Sequence, residues 1–284
     1  MPMPLPMPPK RTAPPLPSKA AVPKKSFSIA PWNGAGEGEK IILYADSGMG
    51  KTTLASMAPK PAFIGLDDGG RRIRNPKTGE AIAAFQDVST FQDVRDILQQ
   101  PSLFMGYDTV VIDTITALQD LAVPYLLTTI PTEKGGVAKN IVAYGYNKGY
   151  QHLYDVMKLI LQDCDVLVKQ GKNIIFIAQA GPHKVPNPAG EDYIRSGPRL
   201  YSGTPSVEAL YCEWADHILL IDYQTTAVEK RKAVCDDNRA VFTKGQIHFR
   251  AKSRTLTSEQ AVVSFTTPDD DSMWQFIFTA TALT

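Results

Sequence analysis

One segment of the chain carries residues whose types and spacing prescribe a chemistry. Residues 45–53 read Ala45, Asp46, Ser47, Gly48, Met49, Gly50, Lys51, Thr52 and Thr53. The apolar run IILY at 41–44 precedes them, and the helical run TLASMA follows, stopped by Pro59. A strand, a glycine-bearing loop and a helix in that order make a phosphate-binding (Walker A) loop. Its glycines let backbone amides curl around phosphate oxygens, and the helix turns its positive end toward the anion. The pattern assigns Lys51 to the β- and γ-phosphates of a nucleotide and the Thr52 hydroxyl to Mg²⁺, while Gly48 and Gly50 supply backbone conformations closed to residues with a side chain. Ala45 stands where the strict pattern has glycine. The nine residues are the candidate nucleotide site, with ATP and Mg²⁺ as the implied cofactors.

Such a site needs a carboxylate for the metal and a base for water. TVVIDT at 109–114 ends a buried strand in Asp113, the second candidate metal ligand beside Thr52; the other reading of Asp113 is a cap for the helix ITALQDL. Asp67 and Asp68, in LDDGG after the apolar run AFIGL, are the candidate general bases, and an efficient Asp-Asp-Gly-Gly turn is the alternative.

The elements that must position these groups are legible as short apolar runs alternating with helical patterns. The runs are IILY at 41–44, AFIGL at 62–66, TVVID at 109–113, NIIFIAQ at 173–179 and HILLI at 217–221, the form of buried parallel strands. Leu153, Val156, Met157, Ile160, Leu161, Cys164, Leu167 and Val168 recur at steps of three and four, which predicts a long helix lying on the sheet. After residue 221 the character changes to short strands, VFTKG and QIHFRAK, which predicts an antiparallel edge. The expected class is α/β: a mostly parallel sheet with helices on both faces and an antiparallel C-terminal edge.

Composition narrows the setting. The 284 residues are 43% hydrophobic and 21% charged, enough for a sizeable core, and three cysteines without metal-ligand spacing argue against a disulfide framework. No apolar run reaches the length of a membrane span, so no membrane role and a cytoplasmic location are expected. Residues 1–36 hold Lys10, Arg11, Lys19, Lys24 and Lys25 with no acid, which leaves the rest at −4 against a net charge of +1. Ten of the 22 prolines also fall there, so a disordered basic tail over 1–36 is expected before a folded domain over 37–284.

Taken together, the phosphate loop, TVVIDT, LDDGG and IIFIAQ resemble the RecA-like P-loop recombinase ATPases, most closely the short phage-encoded forms associated with single-strand annealing and recombination, over about 40–255. The resemblance implies a RecA-like P-loop NTPase core with a C-terminal strand extension. It implies Asp67 as the carboxylate that activates water and Gln179, ending IIFIAQ, as the sensor of the γ-phosphate. Lys252 and Arg254 in FRAKSRT would act on a neighbour's ATP, which implies a homo-oligomer, ring or filament. Two loops would bind single-stranded DNA: one offers Lys134, Lys139 and Lys148 with Tyr144, Tyr146 and Tyr150, the other, over about 180–206, Lys184, Arg195 and Arg199 with Tyr193 and Tyr201. Lysines would track phosphates while aromatic faces stack on bases; the alternative for the tyrosines of the first loop is packing against the long helix that follows. The implied function is ATP hydrolysis stimulated by single-stranded DNA in recombination, annealing or repair, in a host bacterial cytoplasm if phage-encoded, with a single-strand-binding protein as a partner for the tail. A P-loop kinase acting on a small molecule, or a nucleotide-dependent switch binding a protein partner, are the alternatives.

Overall fold

A computed structural model describes residues 28–29, 34, 36–224, 226–229, 232–235 and 238–281. The expected proline-rich tail lies almost wholly outside them. The chain divides into Met1–Asn33 and Gly34–Thr284, and the fold described is that of the second unit.

The apolar runs form strands because each is buried on both faces and therefore has no reason to alternate with polar residues. In chain order they are β1 (Lys40–Ala45), followed by α1 (Lys51–Ser56), β2 (Pro61–Gly65), α2 (Phe91–Leu98), β3 (Thr109–Asp113), α3 (Ile115–Thr129), α4 (Lys148–Val168) and β4 (Asn173–Val185). Then come β5 (Tyr193–Pro198), α5 (Val207–Trp214), β6 (His217–Tyr223), β7 (Thr226–Glu229), β8 (Lys232–Cys235), β9 (Arg239–Phe242), β10 (Val262–Ser264) and α6 (Ser272–Thr281). The main sheet has the order β10-β9-β6-β1-β4-β3-β2, with β5 added to the far half of β4; β7 and β8 form a separate ribbon. The central pairings β6–β1–β4–β3–β2 are parallel. The β6–β9 and β9–β10 pairings are antiparallel, so the sheet has the expected mixed character and C-terminal edge.

Alternate residues of β1 serve different cores. Ile42 and Tyr44 join the face covered by α2, α3, α4 and α5, where Val94, Leu118, Ile160 and Tyr211 are buried. Ile41 and Leu43 join the opposite face, closed by α1 and α6 through Leu54, Ala55, Met273, Trp274 and Ile277. The long helix expected from its apolar spacing is α4, and all eight of the residues that define the spacing are buried. Among the described residues no helix is long and apolar enough to cross a membrane.

Three segments differ from expectation. The proline- and glycine-rich stretch after Gln179, expected as an irregular loop, is a hairpin: β4 runs on to Val185 and pairs antiparallel with β5 from Ala180↔Pro198 to Val185↔Tyr193. Pro182 is tolerated because it stands in a two-stranded arm whose ladder does not need every amide. QIHFRAK is not a strand; it crosses from the hairpin to β6, making one bridge with each, Phe249↔Ser196 and Lys252↔Ile218. The C-terminal extension, expected as strands, ends in α6, whose Met273, Trp274 and Ile277 have the i, i+1, i+4 spacing of a helix face.

Trp274 fixes α6 to α1, since its ring is buried and its indole Nε1 donates to the Leu54 carbonyl at 2.7 Å. Trp274→Ala is expected to lower the unfolding free energy by roughly 3–5 kcal/mol, read from urea denaturation. A loss under about 1 kcal/mol would mean that α6 does not close this core.

Candidate nucleotide site

The phosphate loop leaves the carboxyl end of β1, and its backbone shows why glycine is needed: Gly48 has φ 82° and Gly50 φ 94°, both in the left-handed region. Lys51 begins α1 and folds back over the loop. Its Nζ donates to the carbonyls of Ala45 at 3.0 Å and Asp46 at 2.8 Å, and to Gln179 Oε1 at 3.1 Å. Only 7% of Lys51 is exposed, and burial pushes its ammonium below the usual lysine value, opposed by the charges of Asp113, Asp46 and Asp67. Ser47 is exposed at the loop's tip, Met49 is buried beneath it, and Thr53 follows Thr52 on α1.

Thr52 Oγ1 donates to Asp113 Oδ2 at 2.7 Å, which joins the two candidate metal ligands. The helix-cap reading of Asp113 falls, because the cap of α3 is Thr114, whose side chain accepts from the Ala117 amide at 3.1 Å. Burial pushes Asp113 up to about 6, with the Asp67 charge adding to the effect and the Thr52 hydrogen bond and Lys51 opposing it. Among the described residues no group of three or more His, Cys, Asp or Glu side chains could hold a metal ion. The donor pair here, one hydroxyl and one carboxylate, is hard and small in number. It fits Mg²⁺, which takes few protein oxygens and completes its shell with phosphate and water.

The two candidate bases separate. Asp67 borders the same cavity of about 300 Å³ as Lys51, Thr52, Asp113 and Gln179. It also caps the short 3₁₀ turn that follows, accepting from the Gly69 amide at 2.9 Å, as the turn reading expects. Asp68 is a correction: its carboxylate is 90% exposed and faces Arg71 at 3.9 Å, turned away by the first step of that turn.

Gln179 stands opposite Ala45 in the β1–β4 register, which is why its amide oxygen meets Lys51. Its backbone is held on both sides. The Gln179 amide donates to Thr116 Oγ1 at 3.2 Å, and its carbonyl accepts from the Arg199 amide at 2.7 Å at the end of the hairpin. Sequence reasoning missed Thr116, whose hydroxyl in turn donates to the Arg199 carbonyl at 3.2 Å; one threonine early in a helix carries no signal of that contact.

Lys252 and Arg254 are not brought to this site. Lys252 pairs with Ile218, level with Ile42 and well back from the loop end of β1, and its Nζ donates to the Cys212 carbonyl at 2.8 Å. Arg254 is paired with Asp216 at 3.0 Å. The expected regular strand that would aim both at one phosphate is absent, and both cations are engaged within the chain.

The expected DNA-contacting residues divide by exposure. Tyr144 is a correction: it is 7% exposed, donates to the carbonyls of Leu126 at 3.0 Å and Ile130 at 2.6 Å, and packs edge-on against His152. Its ring therefore closes the core beside α3 and has no free face. Tyr146 is fully exposed, Lys134 and Lys139 are exposed, and Lys148 is paired with Glu133. On the hairpin, Lys184 is paired with Asp192 at 2.9 Å, Arg195 is half-buried, and Arg199 is exposed and close enough for its charge to lower the Lys51 pKa. Tyr150 and Tyr201 stack on each other, with centroids 4.4 Å apart and an interplanar angle of 7°, which joins the start of α4 to the end of the hairpin.

A family model described as an AAA domain (AAA_24) matches residues 37–255. The chain belongs to this AAA-domain family. The site just described is thus that of a nucleotide-binding P-loop NTPase. Among solved structures, a KaiC-like protein from the hyperthermophilic archaeon Pyrococcus horikoshii OT3 is similar at 15% identity and TM-score 0.40, over 81% of this chain and 90% of that one. The RadB recombinase is similar at 14% identity and TM-score 0.38, over 80% of this chain and 90% of that one. No curated protein matches the chain.

Asp113 makes stability depend on pH in a defined direction. Its folded value of about 6 lies above the ordinary 3.8, so the folded state holds the proton more tightly. The stabilisation is complete below about pH 4 and is lost as pH rises through 6. Nucleotide-free protein is expected to lose up to roughly 3 kcal/mol relative to Asp113→Asn between these limits, measured by denaturant unfolding across pH; a constant difference would show that Asp113 is not buried as described.

Proposed function

We propose that this AAA-domain ATPase hydrolyses ATP with Mg²⁺ and couples the state of the nucleotide to a grip on single-stranded DNA. The observation that carries the proposal is the double engagement of Gln179. Its side chain touches the phosphate-loop lysine at 3.1 Å, while its carbonyl anchors the hairpin β4–β5 through Arg199 at 2.7 Å. A phosphate arriving at Lys51 competes for the ammonium that Gln179 now holds. The side chain must then turn, and the strand it belongs to is the one that becomes the arm.

In this reading Lys51 and the loop amides hold the phosphates, Thr52 and Asp113 hold the cation, which neutralises phosphate charge, and Asp67 takes a proton from the attacking water. Arg195 and Arg199 on the hairpin, with Lys134, Lys139 and Tyr146 on the neighbouring loop, supply phosphate contacts and a stacking face for a single strand. The protein acts in recombination, annealing or repair, as a homo-oligomer. Affinity rests mainly on phosphate contacts, so it falls with salt and shows little sequence preference.

Steady-state ATP hydrolysis with and without single-stranded DNA tests this. Lys51→Ala is expected to abolish turnover. Stimulation by DNA should shrink as salt rises, and Gln179→Ala should bind ATP normally yet lose the stimulation. Hydrolysis indifferent to DNA in the wild type would overturn the DNA reading while leaving the nucleotide site intact.

A further inference from the structure

Asp67 and Asp113 face two spaces. One is the phosphate cavity described above; the other, also of about 300 Å³, lies between the end of β2 and the segment 67–86, and the two share Asp67, Ile73 and Asp113. A nucleophile activated by Asp67 must rest against that carboxylate. Whatever fills the second cavity therefore competes with water for the same place.

The second cavity has the make-up of a small-molecule pocket, with apolar walls, few polar groups and a buried carboxyl of shifted acidity at one end. Phe63 is buried in its floor, and Ile73, Ile82 and Phe85 are half-buried around it. At the Asp67 and Asp113 end the polar groups are carboxylates, which accept hydrogen bonds, so a ligand must bring a donor there. An alcohol meets both demands: its hydroxyl donates to Asp67 and its carbon skeleton lies on the apolar walls.

The walls are held in place without a ligand. The Phe63 amide donates to the Ala83 carbonyl at 2.8 Å and the Phe85 amide to the Phe63 carbonyl at 2.9 Å, so residues 83–85 lie along β2 as an added edge. Between Asp67 and this edge the chain turns back on itself at the Arg74↔Ala81 bridge. That turn is moored to α1 by the Asn75 side chain, which donates to the Ser56 carbonyl at 2.7 Å, and to the start of α6 by the ion pair of Lys77 with Asp271. Gly70 lets the segment close over Ile82, since a Cβ there would stand 3.2 Å from Ile82 Cδ1.

We propose that this cavity takes a small alcohol with an apolar skeleton whose hydroxyl, held by Asp67, accepts the terminal phosphoryl group in place of water, a role that rests on the readings of Lys51 and Asp67 above and is independent of DNA. The hydroxyl oxygen bonds to the terminal phosphorus, and the bond from that phosphorus to the oxygen bridging to the β-phosphorus breaks. ADP leaves with the electron pair, the hydroxyl proton goes to Asp67, and the alcohol becomes a phosphate monoester.

Benzyl alcohol and cyclohexylmethanol are the probes, used with the full chain. Saturation-transfer NMR without nucleotide is expected to show both bound to the wild type. Ala81→Trp and Ala84→Trp, which fill the cavity from exposed positions, should weaken them about tenfold or more while the Kd for Mg·ATP stays within about twofold. With Mg·ATP, phosphorus NMR should detect the monoester of each probe in the wild type and about tenfold less in the two variants. Probes that do not bind, that bind the variants equally well, or that bind while only free phosphate is released overturn the acceptor site and leave the hydrolysis reading standing. No turnover of either kind, with an ATP affinity that Lys51→Ala does not change, overturns the phosphate-loop reading and the acceptor site with it.

Discussion

The structure turns on a buried ammonium. Lys51 is nearly closed to solvent, and a cation so placed must find acceptors within the protein or lose its charge. It finds three, two backbone carbonyls at the end of β1 and the side chain of Gln179 at the matching position of β4. That geometry exists only because β4 lies between β1 and β3 in the sheet. The same strand order sets Asp113 on β3 within reach of Thr52, and Gly65 opposite Asp113 so that Asp67 follows just beyond. The ends of four parallel strands thus make a polar ledge, and the loop amides complete it on one side.

A hydrogen-bonded lysine of this kind is poised to exchange partners. Each acceptor it uses is a neutral oxygen, and a phosphate is a stronger one. Most of the ledge cannot respond, since β1 and β3 are buried on both faces and close-packed. Gln179 sits where β4 leaves the sheet for the hairpin, with one ladder behind it and another ahead. The end of the arm is tied there by Arg199, by Thr116, and by the Tyr150–Tyr201 stack that links it to α4.

Much of this was legible in the sequence, for specific reasons. The five strands declared themselves because fully buried strands are continuous apolar runs, and α4 because its apolar residues keep a helical period from Leu153 to Val168. The hairpin was hidden because its prolines and glycines read as breakers, and two-stranded arms tolerate them where sheet interiors do not. At Lys252 and Arg254 the expected regular strand is what failed: two residues apart on a strand would share a face, but the backbone there makes single bridges, so one side chain turns inward to Cys212 and the other pairs with Asp216. Tyr144 misled because an aromatic among lysines and glycines reads as exposed, whereas its ring closes a gap beside α3.

By itself the sequence determined the phosphate loop and the fold class, and it named the candidates for a nucleotide and its cation. These are local properties: glycines at positions needing positive φ, a lysine and threonine at fixed offsets from them, and apolar runs whose length and continuity set the strand type. Only the tertiary structure decided which of two adjacent aspartates faces the cavity, that Thr114 and not Asp113 caps α3, and that Arg239 and Phe265, roughly 200 residues from the loop, stand against its open side. Those outcomes depend on strand order and on how distant segments pack, and contacts between residues far apart in the chain leave no periodic trace in a single sequence.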